Sequence, residues 1–184
     1  MLISKFKLET NEDISNEMEK ALCVQLPQKY KIFIDRYNGG ETPDTNWTGK
    51  GKTDVRGFYG YDNANDYWDI KEHRTETFLS ELLVRGFLVI AENSFGDMFC
   101  MKLEDETVWI AYHDSSKMVA IADDFEKFIN GCKSKKIGHI STIEERKARL
   151  IANGHGDKLS ENMLRGWQEE IEKYSKLVQE EVVI

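Results

Sequence analysis

The sequence predicts an α+β fold in which a central, mostly antiparallel sheet is flanked by helices and followed by a helical C-terminal extension. Three stretches support this prediction. Residues 88–112 alternate apolar runs with turn-forming residues, residues 26–40 have the start and end signals of a helix, and residues 160–183 repeat apolar positions every three or four residues. A chain of 184 residues has room for one domain and an appendage. We place the domain at residues 1–134 and the extension, packed on the domain or on a partner, at residues 135–184.

The middle of the chain contains three consecutive strand signals. Apolar runs at residues 88–91, 98–103 and 108–112 are separated by turn-forming residues at 92–97 and by a charged tip at 104–106. The second run shows no alternation of polar and apolar side chains, which indicates a strand that is covered on both faces. We therefore expect this strand to lie near the centre of the sheet.

The first third of the chain predicts two helices. Residues 12–24 carry apolar side chains at helical spacing, and a second helix begins at Pro27, whose missing N–H costs nothing at the first helical position. The apolar face of this second helix is formed by Leu26, Tyr30, Phe33 and Tyr37. Residues 38–40, Asn-Gly-Gly, supply the left-handed conformation that ends a helix. The second helix therefore has the clearest boundaries in the sequence.

The segments that follow carry weaker signals. Residues 41–54 are polar and contain Pro43, which predicts a loop or an irregular hairpin. Residues 55–61 have the composition of a strand, and residues 66–85 predict a helical region. A fourth short strand is expected at residues 118–122.

Three helices are expected after the sheet, each with an N-terminal cap. Asp123 or Asp124 begins the first, Thr142 and Glu145 form a capping box on the second, and Ser160 begins the third. Their apolar faces comprise Phe125, Phe128, Ile129 and Cys132 in the first, Ile143, Leu150 and Ile151 in the second, and Met163, Trp167, Ile171, Tyr174 and Val178 in the third. Because the last two helices are amphipathic, we expect them to dock on the domain or on another chain.

The net charge of −8 is concentrated in the middle of the chain. Residues 41–130 carry 18 acidic and 9 basic side chains, whereas the two ends are nearly neutral. Nucleic acid is not expected as a partner, because binding it depends on Lys and Arg contacts to phosphates. A basic protein partner is compatible with the acidic field. The alternative is that the acidic side chains only keep the protein soluble.

Composition and cysteine use predict a cytoplasmic protein. No apolar run approaches the ~20 residues needed to span a bilayer, and residues 1–13 become charged too early for a signal peptide, so we expect no membrane insertion. Cys23, Cys100 and Cys132 are odd in number and lie within apolar patterns. This arrangement indicates reduced core thiols rather than a disulfide framework.

Two ligand-binding motifs are present only in part. Residues 51–53, Gly-Lys-Thr, resemble the end of a phosphate-binding loop, but Asn46 stands where that loop needs glycine. A calcium loop starting at Asp62 would need glycine at its sixth position and glutamate at its twelfth, and these positions hold Tyr67 and His73. The sequence therefore predicts neither nucleotide nor calcium binding, and no cofactor.

Catalytic and metal-binding patterns are also incomplete. The four histidines, His73, His113, His139 and His155, have no zinc-ligand spacing. Ser94 could form a triad with His113 and Asp97 or Asp114 on paper, but it lacks the leading glycine of a nucleophile elbow. Cys100 has apolar neighbours, which raise the pKa of a thiol and so oppose its use as a nucleophile. We predict a protein without catalytic residues or a metal, which is not an enzyme.

Aromatic and acidic residues are crowded together between residues 41 and 69. Aromatic side chains set among carboxylates suit a protein interface whose partner is basic. The predicted partner-binding residues are Glu41, Asp44, Trp47, Tyr59, Tyr61, Asp62, Asp66, Trp68 and Asp69. The alternative is that the aromatic side chains belong to the core, and we expect about half of those in this window to be buried.

Residues 26–40, LPQKYKIFIDRYNGG, resemble a helix motif of the SUKH superfamily, which is named partly for a fungal cell-wall assembly regulator. The matching structural positions are Leu26, Pro27, Tyr30, Phe33, Asn38, Gly39 and Gly40. A second motif of this family, two apolar strands joined by a turn that ends in Gly-Asp, is matched by residues 88–101 with Gly96 and Asp97. We interpret these two residues as structural, with the Asp97 carboxylate bonding turn amides. The resemblance covers residues 12–132, although residues 41–86 match no motif.

The resemblance implies an α+β fold and a protein whose role is binding. Bacterial members of this superfamily are commonly immunity proteins that neutralise a toxin, often a nuclease, and fungal members look like scaffolds that regulate cell-wall synthesis. We predict an immunity protein that binds a basic cognate toxin, as a monomer or as a homodimer formed through the C-terminal helices. A regulatory scaffold in cell-wall or envelope synthesis is the alternative, and an enzyme is a third class.

Overall fold

The computed structural model describes residues 1–6, 13–73 and 76–184, and the chain forms two compact units. The first unit comprises residues 1–135 and 179–184, and the second comprises residues 136–178. Helices and a six-stranded antiparallel sheet confirm the predicted α+β class. The predicted start of the first helix, at residue 12, lies outside the described residues.

The strands are β1 (Leu2–Ile3), β2 (Gly40–Glu41), β3 (Thr45–Trp47), β4 (Thr53–Asp54), β5 (Gly57–Phe58), β6 (Phe87–Glu92), β7 (Met98–Lys102), β8 (Val108–Ala111), β9 (Met118–Ala122), β10 (Cys132–Ser134) and β11 (Glu180–Glu181). The helices are α1 (Ile14–Leu22), α2 (Gln28–Tyr37), α3 (Ile70–His73), α4 (Thr77–Val84), α5 (Phe125–Gly131), α6 (Ile143–Ala152) and α7 (Glu161–Ser175).

The main sheet runs in the order β2-β5-β6-β7-β8-β9, and every neighbouring pair is antiparallel. Strand β7 lies between β6 and β8, and Phe99, Cys100 and Met101 within it are all buried. The prediction that this strand is covered on both faces is therefore confirmed. The strands of residues 88–112 were predictable because apolar runs and turn residues mark each of them locally.

Helix α2 follows its predicted boundaries because its end signals are local. It starts directly after Pro27 and ends at Asn38, which adopts a left-handed conformation with φ 48° and donates its N–H to the Ile34 carbonyl. Gly39 continues the turn at φ 78°. A Cβ at Gly39 would lie 2.6 Å from the Gly60 amide nitrogen, so only glycine lets α2 approach the loop after β5 this closely.

The core is aromatic and lies between the sheet and helices α2 and α5. Phe33 of α2 packs 5.1 Å from Phe58 of β5, and Phe128 of α5 packs 5.1 Å from Phe99 of β7, measured between ring centroids. Phe125 connects the two helices at 5.4 Å from Phe33. All five rings are fully buried, and burial of each contributes roughly 1.5–3 kcal/mol.

The region predicted as one helical segment, residues 66–85, is divided. A short 3-10 helix (Asp66–Trp68) precedes α3 and α4. The backbone of Asp69 is extended, and its carboxylate accepts the N–H groups of Asp62, Asn63 and Lys71. A continuous helix cannot pass through this residue, and the poor periodicity of the segment reflects that break.

In the first unit, short strands pair segments that are far apart in the sequence. Strands β3, β4 and β10 form a small sheet where the sequence predicts a loop or hairpin for residues 41–54. The last helix, predicted over 160–183, ends at Ser175, and β11 pairs with β1 instead. The cause is long-range: Val182 is buried, and the Tyr37 hydroxyl bonds the backbone of Val183.

The second unit is a pair of helices. Thr142 and Glu145 form the predicted capping box on α6, and Ser160 caps α7. Arg146 of α6 bonds Glu170 of α7 through both carboxylate oxygens, at 2.8 and 3.2 Å. Residues 136–178 are all described, and none of them is fully buried. Within the described parts of the chain, no helix is both long and apolar enough to cross a membrane.

Candidate partner-binding surface

The structure separates the predicted partner-binding residues by exposure. Trp47, Tyr59, Tyr61, Trp68 and Asp69 are buried, whereas Asp44, Asp62 and Asp66 are exposed and Glu41 is partly exposed. The six aromatic residues in this window are Trp47, Phe58, Tyr59, Tyr61, Tyr67 and Trp68. Five of them are buried, more than the half expected, and Tyr67 is 45% exposed.

Trp47 is buried because two glycines make room for its indole. A Cβ added to Gly49 would lie 2.2 Å from the ring, and one added to Gly131 would lie 2.1 Å from it. The indole Nε1 donates to the Lys50 carbonyl oxygen at 2.8 Å, and the ring centroid lies 5.3 Å from that of Phe128. Trp47 therefore joins the small sheet to the core.

Tyr61 and Asp69 hold the loop between β5 and α3. The Asn38 side-chain amide donates to the Tyr61 carbonyl at 2.9 Å and accepts the Tyr61 N–H at 2.7 Å. With the three backbone N–H groups that Asp69 accepts, these bonds fix the loop from both sides. The exposed carboxylates of Asp62 and Asp66 are thus carried on an ordered loop.

A buried carboxylate organises the exposed end of this region. Glu92, at the end of β6, is 6% exposed. The Tyr59 hydroxyl donates to its Oε2 at 2.7 Å, and the Tyr67 hydroxyl donates to its Oε1 at 2.7 Å. Arg56 Nη1 lies 3.4 Å from the same Oε1 and donates to the Tyr67 hydroxyl oxygen at 3.1 Å. A buried charge needs such a counter-ion and hydrogen bonds to be tolerated.

The Arg56 guanidinium also lies against two aromatic rings. Its central carbon is 4.9 Å from the Tyr67 ring centroid and 5.5 Å from that of Trp68, within cation–π range. Trp68 meets the Tyr59 ring edge-on at 5.2 Å. We name Arg56, Tyr59, Tyr67, Trp68 and Glu92 the Tyr67 cluster. Its exposed members, Arg56 and Tyr67, are of the residue types that dominate protein-interface energetics.

Both phenols of the Tyr67 cluster are held in their neutral form. Burial raises the pKa of Tyr59 and of Tyr67, and the Glu92 carboxylate beside each hydroxyl raises it further. Each hydroxyl therefore remains a hydrogen-bond donor to Glu92 at neutral pH.

His73 ties the segment after Tyr67 to the start of α4. Its Nδ1 lies 2.6 Å from Glu76 Oε1, and its Nε2 lies 3.0 Å from the Tyr67 carbonyl oxygen. Burial lowers the pKa of His73, but the hydrogen bond and charge of Glu76 outweigh it, so the net shift is upward. Glu72 and Glu76, on either side of His73 in the sequence, are both exposed.

A second polar group lies at the turn between β6 and β7. Asp97 Oδ1 accepts the His113 N–H at 3.1 Å and lies 2.8 Å from His113 Nδ1. The backbone amides of Phe95 and Asp97 within this turn donate to the Asn93 side chain, and not to the Asp97 carboxylate as the sequence predicts. Burial raises the pKa of Asp97, but hydrogen bonds from His113 and Asn93 lower it more, and Asp97 in turn raises the pKa of His113.

The cysteines differ in exposure. Cys100 and Cys132 are buried, and burial raises the pKa of each thiol to about 12, as the apolar neighbours of Cys100 predict. Cys23 is exposed at the end of α1, so the expectation of a core thiol is wrong there, because the helix ends at this residue in a left-handed conformation. Among the described residues, no cluster of three or more His, Cys, Asp or Glu side chains could hold a metal ion.

Sequence reasoning missed Arg56 and Glu92, and it counted Tyr67 among the aromatics without including it in the predicted contact set. The only local signal is a charged residue ending an apolar strand, and that is common in turns. The pairing of β5 with β6 sets Gly57 opposite Glu92 and so brings Arg56 next to that carboxylate, and the 3-10 helix further along the chain carries Tyr67 to it.

Comparison with known proteins identifies a family and a bacterial relative. The model of the SMI1 / KNR4 family (SUKH-1) matches residues 9–131. The SPbeta prophage-derived uncharacterized protein YokK of Bacillus subtilis (strain 168) is 28% identical over 146 residues, which cover 66% of this chain and 73% of the relative. The family match includes the whole Tyr67 cluster and ends before the second unit begins.

Proposed function

This chain belongs to the SMI1/KNR4 (SUKH-1) family, and on that premise we propose that it is a non-enzymatic immunity protein that binds and neutralises a cognate bacterial toxin. Family membership is the observation that carries the proposal, since bacterial members of the superfamily to which the sequence is similar commonly have this role. The relative with a prophage-derived name comes from a bacterium, which supports the bacterial role over the fungal one.

The charge of the first unit supports a basic partner. The second unit contains eight basic and seven acidic side chains, so the first unit accounts for a net charge of −9. In the part of the sequence around Tyr67 the exposed carboxylates are Asp62, Asp66, Glu72 and Glu76, of which Asp62 pairs with Lys71 and Glu76 with His73. An acidic field accelerates encounter with a basic protein, while a few well-packed contacts set the lifetime of the complex.

The Tyr67 cluster is the best anchor within the predicted contact region. Tyr67 and Arg56 are exposed on the surface of this region. The four aromatic residues predicted as contacts are buried and can only support that surface: Trp47, Tyr59, Tyr61 and Trp68. Their hydrogen bonds to Glu92 fix both side chains before binding, which lowers the entropy lost on association. Because these bonds already engage the Glu92 carboxylate, the cluster suits rigid recognition better than proton transfer.

Affinity capture tests the function. The tagged protein is expressed in its own host together with the products of adjacent reading frames, and bound proteins are identified. We expect stoichiometric recovery of a small basic domain, such as a nuclease, whose toxic activity disappears when this protein is added. Recovery of envelope-synthesis enzymes instead would support the regulatory scaffold. Recovery of a basic domain that stays active in the complex would contradict neutralisation.

A pair of variants tests the site. Tyr67→Ala removes the exposed anchor, and we expect the affinity for the captured domain to fall at least about tenfold, equivalent to ~1.4 kcal/mol. Tyr112→Ala is the matched control, because Tyr112 is a partly exposed tyrosine outside the Tyr67 cluster, directly after β8 and two strands away from β6, which carries Glu92. Equal affinities for the two variants would place the interface elsewhere.

A further inference from the structure

An apolar groove opens beside the Tyr67 cluster, with a volume of about 340 Å³. Its floor contains Tyr59 and Leu88, which are buried, and its walls are Leu22 of α1 and Leu79 and Leu83 of α4. Tyr59 belongs to both features, since its ring lines the groove while its hydroxyl bonds Glu92. The volume falls within the range of about 300–1,000 Å³ that is typical of ligand sites.

The chemistry of the lining favours an apolar occupant. Of the described lining residues, Tyr59 and Ser80 are the two with polar side-chain atoms. The Tyr59 hydroxyl donates to Glu92 Oε2 at 2.7 Å, and the Ser80 hydroxyl donates to the Thr77 carbonyl at 2.9 Å. Neither proton is available to an occupant. A polar ligand would therefore lose hydrogen bonds to water on entering, whereas an apolar side chain would not.

The edge of the groove favours a protein segment over a small molecule. Val84, which lines the groove, is 89% exposed. A small molecule within the groove would leave most of this side chain in water. A helix of a partner would cover it together with the groove, as amphipathic helices do when they bind in an apolar groove.

An acidic side chain lies about one helical turn before a lining residue on each of the two helices that form the groove walls. Glu17 lies one turn before Ala21 on α1, and Glu76 lies one turn before Ser80 at the start of α4. Among the residues that the structure describes, the nearby cations are Lys20, His73, which pairs with Glu76, and Arg85, whose guanidinium lies over the Phe87 ring at 5.7 Å. The whole unit carries a net charge of −9.

We propose that this groove binds an amphipathic helix of a basic protein, with its bulky apolar side chains between α1 and α4 and its Lys or Arg residues beside Glu17 and Glu76. The inference rests on the proposed function for the identity of the partner, which is the toxin. It adds a second, apolar anchor next to Tyr67, so that a polar cluster and an apolar groove form one continuous contact surface.

A synthetic probe tests the groove without the toxin. The probe is a peptide of leucine and lysine, about 18 residues or five helical turns long, with all leucines on one helical face. It is titrated into the full-length protein while the leucine and valine methyl NMR signals are followed. We expect saturable binding with shifts concentrated at Leu22, Leu79, Leu83 and Leu88. A peptide of the same composition in scrambled order is expected to bind at least tenfold more weakly.

Two variants show whether the groove is responsible. Leu83→Gln places a polar side chain in the wall and should weaken peptide binding at least tenfold. Ile32→Gln changes another helical aliphatic residue, 37% exposed on α2, and should leave binding within twofold. Thermal unfolding of both variants checks that the fold is kept. No saturable peptide binding, or equal binding by the two variants, overturns the proposal. Groove shifts caused by 1-hexanol but not by the peptide would overturn it in favour of a small apolar ligand.

The two proposals fail in different ways. If affinity capture recovers no toxin but the peptide binds the groove, the proposed function fails and the groove remains a helix-binding site. If a toxin is captured and Leu83→Gln neutralises it as well as the unmodified protein does, the groove is not part of the toxin interface while the immunity function stands.

Discussion

The two compact units of this chain differ in how they bury apolar side chains. In the first, Phe33, Phe99 and Phe128 are fully inaccessible within a core shared by the sheet, α2 and α5. In the second, Trp167 and Ile171 of α7 remain partly exposed, like every other apolar residue of that unit. A sheet covered by helices can enclose a core, whereas two short helices cannot. We therefore expect the first unit to fold by itself and the second to depend more on its surroundings.

The largest expected effect tests the core of the first unit. Phe128→Ala removes a ring that lies 5.3 Å from Trp47, 6.1 Å from Phe58 and 5.1 Å from Phe99. We expect the free energy of unfolding to fall by about 3–5 kcal/mol, measured by urea denaturation followed by circular dichroism. Trp167→Ala in the second unit should cost less than half as much. Equal losses would remove the distinction between the units.

Removal of the second unit tests whether the first is independent. Ser134 and Glu181 both contact Leu2, through a bond of 2.8 Å from the Leu2 N–H to the Ser134 hydroxyl and through pairing of Glu181 with Leu2. A variant in which a short Gly-Ser linker replaces residues 136–178 should therefore keep its stability. Ending the chain after Lys135 should instead cost about 2–3 kcal/mol, because it removes buried Val182 and the bonds of the Tyr37 hydroxyl. Similar urea midpoints for the two variants would contradict this expectation.

A smaller effect should appear in the pH dependence of the first unit. The pKa of Asp97 is lowered from 3.8, so its contribution to stability is present above that value and lost as the pH falls through the lowered pKa. The pKa of His113 is raised from 6.5, so its contribution is present below that value and lost as the pH rises through the raised pKa. His113→Ala should therefore lower the urea midpoint more at about pH 5 than at about pH 9. A loss that does not vary with pH would show that the pair contributes no charge interaction.

The smallest effect concerns the bond between the two helices of the second unit. Glu170→Gln weakens the ion pair with Arg146, and a partly exposed pair of this kind contributes about 0.2–1 kcal/mol. We expect faster amide hydrogen exchange in α6 and α7, with no change in the main sheet. Faster exchange in β6 or β7 would show that the two units unfold together. Sedimentation of the unmodified protein tests the separate prediction of a homodimer formed through these helices, and a monomer at every concentration would contradict the homodimer.

Sequence reasoning succeeded where structure is determined locally. Helix α2 and the capping box of Thr142 and Glu145 are specified by residues within a few positions of each other. The burial of Trp47 depends on Gly131, which is distant in the sequence and leaves space for the indole. Tyr67 and Trp68 are adjacent aromatics in one 3-10 turn, yet one is exposed and the other is 2% exposed. No local pattern distinguishes them, because Trp68 is buried by distant residues: its ring lies against Gly57 and meets the rings of Phe6 and Tyr59.

The pairing of β1 with β11 has a mechanical consequence. The Val182 N–H donates to the Met1 carbonyl at 2.9 Å, and Leu2 and Ile3 pair with Glu181 and Glu180 in antiparallel register. Residues 1 and 184 therefore leave this ladder at the same end. A pulling force applied between them would load one hydrogen bond at a time, as in a zipper, rather than shear all the bonds together. In single-molecule stretching, we expect the 43 residues of the second unit to be released at low force, while the six-stranded sheet resists until a later and stronger rupture.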